Sequence, residues 1–282
     1  MKTTTIFNRW NIMVSIAIII VTGILVTGYL ALKHIHFKKY SRYDIVLLSE
    51  PMYEIRTDNY CYQFYNNFRV YGYGAIKNNK KDGYWKIYYH DVNRVNAVGM
   101  FKDDKETGKW IFYNESDGLM GGECFYIDGL KEGKQISFHE NGKKKWEETY
   151  KNGMKNGLAI YWHPNGTIYS YGKYIDDKAE GKWIDYHPSG AIRSVEYIRE
   201  DELDGVQTYW YPNGNPERKE TRIKGSHSGF VTYWDEKGNK INEGNMNDGK
   251  MDGKWTFYSD NKKSYYRYYE KDKMIKQERI TE

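Results

Sequence analysis

Apolar and polar positions along this chain recur in a unit of about 24 residues. Gly83, Gly108, Gly133, Gly157, Gly181, Gly205, Gly229 and Gly253 open eight related segments, spaced by 25, 25 and then 24 residues. Five residues after each glycine stands an aromatic: Tyr88, Tyr113, Phe138, Trp162, Tyr186, Trp210, Trp234 and Tyr258. Two residues earlier come Lys86, Ile111, Ile136, Ile160, Ile184, Thr208, Thr232 and Thr256, and all but Lys86 are β-branched. These two columns share parity, so in a strand they share a face. The opposite parity holds Trp85, Trp110, Trp183 and Trp255 in one column, with Phe112, Tyr161, Tyr209, Tyr233 and Phe257 in the next. Those columns are less regular: Gln135, Ala159, Gln207 and Val231 stand where other units have Trp, and Ser137 and Asp185 interrupt the second.

Gly142, Gly166, Gly190, Gly214 and Gly238 close turns such as Pro164-Asn165-Gly166. Pro pre-sets φ at the start of a type I turn, and Gly supplies the positive φ that follows it. A second turn, as in Lys151 to Asn156 and Asp248 to Asp252, leads to the next unit. Each unit is therefore strand, tight turn, strand. The expected fold is all-β, an extended, twisted antiparallel meander of tandem hairpins whose units contact their neighbours. A parallel solenoid is the alternative, and two hairpin turns per unit argue against it. Residues 83–270 make the eight repeats, and 59–82 a degenerate capping unit with Tyr65 at the recurring aromatic position. Residues 271–282 form a charged cap that blunts the sheet edge. Residues 33–58 read as a linker, with one extra strand at Ile45 to Leu48.

Ahead of the repeats the pattern changes. From Ile12 to Leu32 no residue is charged, and a helix of that length, at about 1.5 Å per residue, spans a hydrocarbon core of roughly 30 Å. A transmembrane helix over 11–32, preceded by a tail over 1–10, is expected. The run is too long for an ordinary signal-peptide core, and no small-x-small site follows it before Lys33. Counting lysines and arginines on either side leans towards cytoplasmic repeats, whereas a short tail before one apolar helix is the layout of a signal anchor that exports the remainder. The second reading is favoured, and the cytoplasmic one stays open.

Composition supports a thin, elongated architecture. Aromatic residues make up 17% of the chain while mean hydropathy is -0.87, too aromatic for disorder and too polar for one ordinary core. The net charge of +5 is supplied before Asp44 by Lys2, Arg9, Lys33, Lys38, Lys39 and Arg42, which leaves the remainder at -1. With its charges balanced and interspersed, that remainder offers no basic stripe for phosphates, so nucleic acid is set aside as a partner.

The candidate chemistry is sparse. His139, His163 and His187 recur at 24-residue intervals, but adjacent units lie two strands, about 10 Å, apart, too far for a shared zinc ion. They read as polar residues at strand ends. Cys61 and Cys124 fall about five strands, roughly 24 Å, apart, and are expected as free thiols. Glu147, Glu148, Glu196 and Glu220 recur within second strands. Unit spacing would give each the same environment, whereas an acid and base pair needs different ones. Pairing with lysines is expected instead. Tyr71-Gly72-Tyr73-Gly74 lacks the context of a phosphate loop. No catalytic residue, metal site or cofactor is expected.

Units such as Gly108-Lys109-Trp110-Ile111-Phe112-Tyr113, and Gly157 to Gly166 followed by Tyr174, resemble the MORN-variant repeat, in particular the bacterial proteins grouped as YwqK-type antitoxins. The resemblance implies an extended antiparallel sheet used as an interaction surface, sometimes at membranes, without enzymatic residues. A structural need recurs in every unit while recognition does not, so Tyr88 through Tyr258 are assigned to a structural spine. Trp85, Trp110, Phe112, Tyr161, Trp183, Tyr209, Tyr233 and Trp255 form the candidate ligand-binding face. The expected function is a membrane-anchored, non-catalytic module that binds a protein partner, with toxin neutralisation as its most specific form. The alternative is adhesion to glycan or cell wall outside the membrane through the aromatic face.

Overall fold

A computed structural model of the chain describes residues 44–47, 52–65, 69–90, 92–260 and 262–280. The expected transmembrane helix lies outside these residues. Among the described residues no helix is long and apolar enough to cross a membrane.

The described residues form one all-β sheet of twenty-three strand segments. Leu130–Lys131 with Gly133–Phe138, and Glu202–Leu203 with Gly205–Trp210, are each one strand interrupted at a bulge, leaving a meander of twenty-one strands. Every pairing is antiparallel and joins neighbours in sequence, from Asp44–Leu47 against Met52–Arg56 to Lys262–Glu270 against Lys273–Arg279. The parallel solenoid is excluded. The stretch expected as a linker with one strand contributes two, Asp44–Leu47 and Met52–Arg56.

Turn chemistry fixes the register. Between units lie two-residue turns with both central residues at positive φ, such as Asp103-Asp104 (50° and 69°) and Asn152-Gly153 (50° and 85°). This is the type I′ hairpin, whose twist matches that of the strands it joins. Within the five units that carry Gly142, Gly166, Gly190, Gly214 and Gly238, the turn is closed by that glycine at positive φ. Gly166, at φ 92°, donates to the His163 carbonyl (2.8 Å), and the His163 N–H donates to the Thr167 carbonyl (2.9 Å). Each opening glycine sits in a bulge. Gly74 pairs with Trp85 and Ile76 with Lys81, so Asp82, Gly83 and Tyr84 stand against Ala75 alone. Such bulges bend a strand and increase local twist.

In the degenerate first unit, Phe64 pairs with Val70 as Tyr88 pairs with Val95 and Tyr113 with Met120. Phe64, not Tyr65, therefore holds the recurring aromatic position. Tyr65 matches Tyr89 instead: their hydroxyls donate to the carbonyls of Tyr88 (3.1 Å) and Tyr113 (2.6 Å).

The core centres on a row running across the strands on one face. Between Cys61 and Gln277 it passes through Gly74, Trp85, Gly99, Trp110, Cys124, Gln135, Glu148 and Ala159, then Gly172, Trp183, Glu196, Gln207, Glu220, Val231, Gly244, Trp255 and Arg267. Flanking rings close over it. Phe101 lies edge-on to Trp85 (5.8 Å) and Trp110 (5.0 Å), while Trp183 touches Tyr161 (6.4 Å) and Tyr174 (5.2 Å).

Candidate interaction surface

The structure separates the eight residues of the expected ligand-binding face. Trp85, Trp110, Trp183 and Trp255 are between 0 and 8% exposed and belong to the core row, so their indoles offer no contact surface. Each lies over a glycine of the preceding strand. A Cβ placed on Gly74, Gly99, Gly172 or Gly244 would come within 2.1 to 2.3 Å of the indole that follows. Phe112, Tyr161, Tyr209 and Tyr233 are half-buried beside the row. Phe112 borders a hollow of about 280 Å³ lined also by Tyr65, Tyr71, Trp110 and Tyr126.

The four units without this Trp obey the same packing rule. Eleven residues before Gln135, Ala159, Gln207 and Val231 stand Cys124, Glu148, Glu196 and Glu220, and eleven before each Trp stands glycine. Where the earlier strand supplies a side chain, the later one gives up its indole, as close packing of a filled row demands. Polar contacts are matched too. Trp85, Trp110 and Trp255 donate Nε1–H to the carbonyls of Ala75 (2.8 Å), Met100 (3.1 Å) and Asn245 (3.0 Å). At the equivalent place Gln135 accepts from the Phe125 N–H (2.9 Å) and donates to the Glu132 carbonyl (2.9 Å). Gln207 accepts from the Tyr197 N–H (2.7 Å) and donates to the Tyr197 carbonyl (3.0 Å). A carboxamide carries both a donor and an acceptor, so it completes the backbone bonding at the bulge as a peptide group would.

The recurring carboxylates do not share one environment, contrary to expectation. Glu147 takes lysines, Lys134 and Lys144, each at 2.8 Å. Glu148 is buried and accepts from Lys155 (2.7 Å), Tyr161 (2.7 Å) and Tyr150 (2.8 Å). Burial pushes its pKa up, but these donors outweigh burial and hold it below the usual carboxylate range. Glu220 sits among Arg218 (3.2 Å), Arg222 (2.8 Å) and His227 (3.2 Å). Burial, reinforced by the charge of Asp185, raises Glu196 above the ordinary value. Glu148 and Glu196 thus diverge, yet they lie four strands, about 19 Å, apart in the row, too far to act on one bond.

His139, His163 and His187 are struts between units. Their Nε2 atoms lie 2.9, 3.3 and 2.9 Å from the carbonyl oxygens of Trp162, Tyr186 and Trp210, and Tyr211 reaches the Trp234 carbonyl in the same way (3.0 Å). Among the described residues no cluster of His, Cys, Asp and Glu could hold a metal ion. Cys61 and Cys124 are buried free thiols, both pushed upward in pKa by burial, which leaves them little thiolate character.

The opposite face carries the spine, Tyr88, Tyr113, Phe138, Trp162, Tyr186, Trp210, Trp234 and Tyr258, all half-buried. Tyr88 stacks on Tyr73 and Tyr186 on Tyr171, each at 6.2 Å, and Lys144 lies over Trp162 (5.4 Å). Nearer the two-residue turns, two rows on this face are open to solvent. The outer row consists of the pairs flanking those turns, such as Lys102–Lys105 and Ile127–Leu130. The inner row runs through Tyr84–Met100, Lys109–Phe125, Lys134–Thr149, Leu158–Lys173 and Lys182–Tyr197 to Val206–Thr221, Phe230–Asn245 and Lys254–Tyr268. Its large apolar members are unusually open, with Tyr84, Leu158 and Phe230 each at 51 or 52%. Among the described residues, twelve of the twenty exposed large apolar side chains lie in these two rows.

Fourteen lysines and arginines share the two rows with two carboxylates, Glu202 and Glu270, while Glu180 and Asp252 stand in register beside inner-row Lys173 and Asn245. The charges balanced along the sequence are therefore not interspersed on the surface: the fold sorts them into a basic, apolar band. The sequence does carry a signal for it. The residue after each opening glycine is Lys or a large apolar residue in every unit: Tyr84, Lys109, Lys134, Leu158, Lys182, Val206, Phe230 and Lys254.

Residues 131–152, 155–176 and 203–223 match the MORN repeat variant family, so at least these units are MORN-type repeats. No curated protein matches the chain. Solved structures that it resembles include the wild-type TCP10 domain of Danio rerio CPAP in complex with a peptide of Danio rerio STIL, at 14% identity and a TM-score of 0.22, covering 71% of this chain and 97% of that one. Another is the TcdB2-TccC3-Cdc42 crystal structure, at 9% identity and a TM-score of 0.17, covering 76% of this chain and 17% of that one.

Proposed function

We propose that this protein is a non-catalytic interaction module, tethered to a membrane by the apolar segment over 11–32, whose repeat sheet binds a protein partner. The observation that carries this reading is the exposed apolar band on one face of a sheet whose opposite face is closed over its own aromatic row. Contiguous exposed apolar surface costs solubility and marks a contact site. Neutralisation of a toxin, as in the antitoxins that the repeats resemble, is the specific form of this function that we favour. The glycan alternative drew on the aromatic columns, and burial of four indoles leaves it only the half-buried Phe112, Tyr161, Tyr209 and Tyr233.

The test is affinity capture of the full-length chain after crosslinking in its own cells, beside a variant carrying Phe125→Ser, Leu158→Ser and Phe230→Ser. A stoichiometric protein captured by the first and lost from the second is expected. Equal capture by both would remove the band from the account, and activity abolished by one carboxylate or His substitution in an intact sheet would restore an enzyme.

A further inference from the structure

We infer that the inner row of the exposed band recognises an acidic amphipathic segment of its protein partner, laid across the strands from Lys109 towards Lys254. This rests on the interaction-module reading and adds the chemistry of the partner.

Charge complementarity is the first argument. The row carries five lysines, four of them between Lys109 and Lys182, among exposed apolar side chains, and the carboxylates in register beside it are Glu180 and Asp252. Some lysines are already matched by acids outside it, Lys109 by Glu123 (2.5 Å) and Lys134 by Glu147 (2.8 Å). Lys173 and Lys182 face solvent on adjacent strands and make no ion pair among the described residues. Leu158 on one side and Tyr197 on the other are 51 and 44% exposed. Glu180 is the register partner of Lys173 and Tyr197 that of Lys182, and since neither lysine is in a salt bridge among the described residues, a partner's carboxylate reaching them forms new pairs.

Geometry favours a protein segment over a broad anionic surface. Beside the band runs the edge of two-residue turns, whose central positions include nine carboxylates, among them Asp103, Asp104, Asp176, Asp177 and Asp201. Several are held in place by backbone donors, as Asp104 is by the Lys81 N–H (2.7 Å) and Asp177 by the Lys155 N–H (2.7 Å). A bilayer or a nucleic acid wide enough to span both rows would meet this acidic rim. A narrow segment along the inner row would not. From Lys109 to Tyr197 the apolar side chains Phe125, Leu158 and Tyr197 stand beside lysines, a pattern that matches a chain carrying both acidic and apolar residues.

The experiment uses full-length protein in neutral detergent micelles and four probes: a random glutamate–tyrosine copolymer, polyglutamate, a single-stranded oligonucleotide, and phosphatidylcholine vesicles containing phosphatidylserine. The copolymer is expected to bind more tightly than the other three. Lys173→Glu with Lys182→Glu should weaken it at least tenfold, and Lys173→Gln with Lys182→Gln by less, with unchanged thermal unfolding because both side chains are exposed. Rising salt should weaken binding throughout. No copolymer binding, binding indifferent to these variants, or equal loss of oligonucleotide or vesicle binding would overturn the inference. If cellular capture depends on Phe125, Leu158 and Phe230 but not on Lys173 and Lys182, the module reading stands and the acidic partner falls.

Discussion

The strand pair Lys240–Asn247 and Lys250–Ser259 and the pair before it, Pro216–Ile223 and Ser226–Trp234, occupy equivalent places in the sheet and fill the core row in opposite ways. In the first, Trp255 lies flat over Gly244 and donates to a backbone carbonyl. In the second, buried Glu220 projects from the position of the glycine, ringed by two arginines and a histidine, and Val231 replaces the indole. One solution buries apolar area. The other buries charge, which holds only while every partner stays in place. The lesson is that from unit to unit the row keeps its positions filled rather than its residue types.

The largest effect expected follows from removing the indole. Trp255→Ala should cost about 4 kcal/mol, the scale for emptying a large aromatic site, read as a lowered urea midpoint. Gly244→Val should cost about 3 kcal/mol by forcing atoms into occupied space. The decisive version is the double variant Gly244→Cys with Trp255→Gln, which copies the Cys124 and Gln135 pair. It should be more stable than the sum of its single changes implies, with a coupling of about 2 kcal/mol. Simple additivity would break the rule that links the two positions.

This covariation explains what could be read in advance. The period and the closing glycines were legible because backbone geometry imposes them on successive units, and Gly166 at φ 92° does what its position after the turn requires. The Trp column was misread because its irregularity looks like selection for a ligand. Its cause lies eleven residues earlier on another strand, at Gly172 for Trp183 and Glu148 for Ala159, and a column read singly does not show it. The basic band was hidden because net charge sums over both faces and the turns.

A smaller effect distinguishes the two kinds of unit by pH. The pKa of Glu148 is lowered in the folded sheet, so its contribution is complete above about pH 4.3, the unfolded value, and is lost as pH falls through the folded one. Glu148→Gln should cost about 2 kcal/mol at neutral pH and nothing in strong acid. Glu196 is raised, so Glu196→Gln should show the reverse trend, a relative gain at neutral pH that vanishes once the native carboxyl is protonated. Chemical denaturation from pH 7 to pH 3 reads both. The smallest change is His163→Ala, which removes one strut between units and should cost about 1 kcal/mol, seen as faster amide exchange at the turn around Gly166.

Hydroxyl-radical footprinting with residue-level mass spectrometry tests most directly which face is sealed and which is open. Phe125, Leu158, Tyr197 and Phe230 should be modified readily, after allowance for intrinsic reactivity, while Trp85, Trp110, Trp183 and Trp255 stay protected until the sheet unfolds. Fast modification of those four indoles in the folded protein, with protection of the band, would contradict the account.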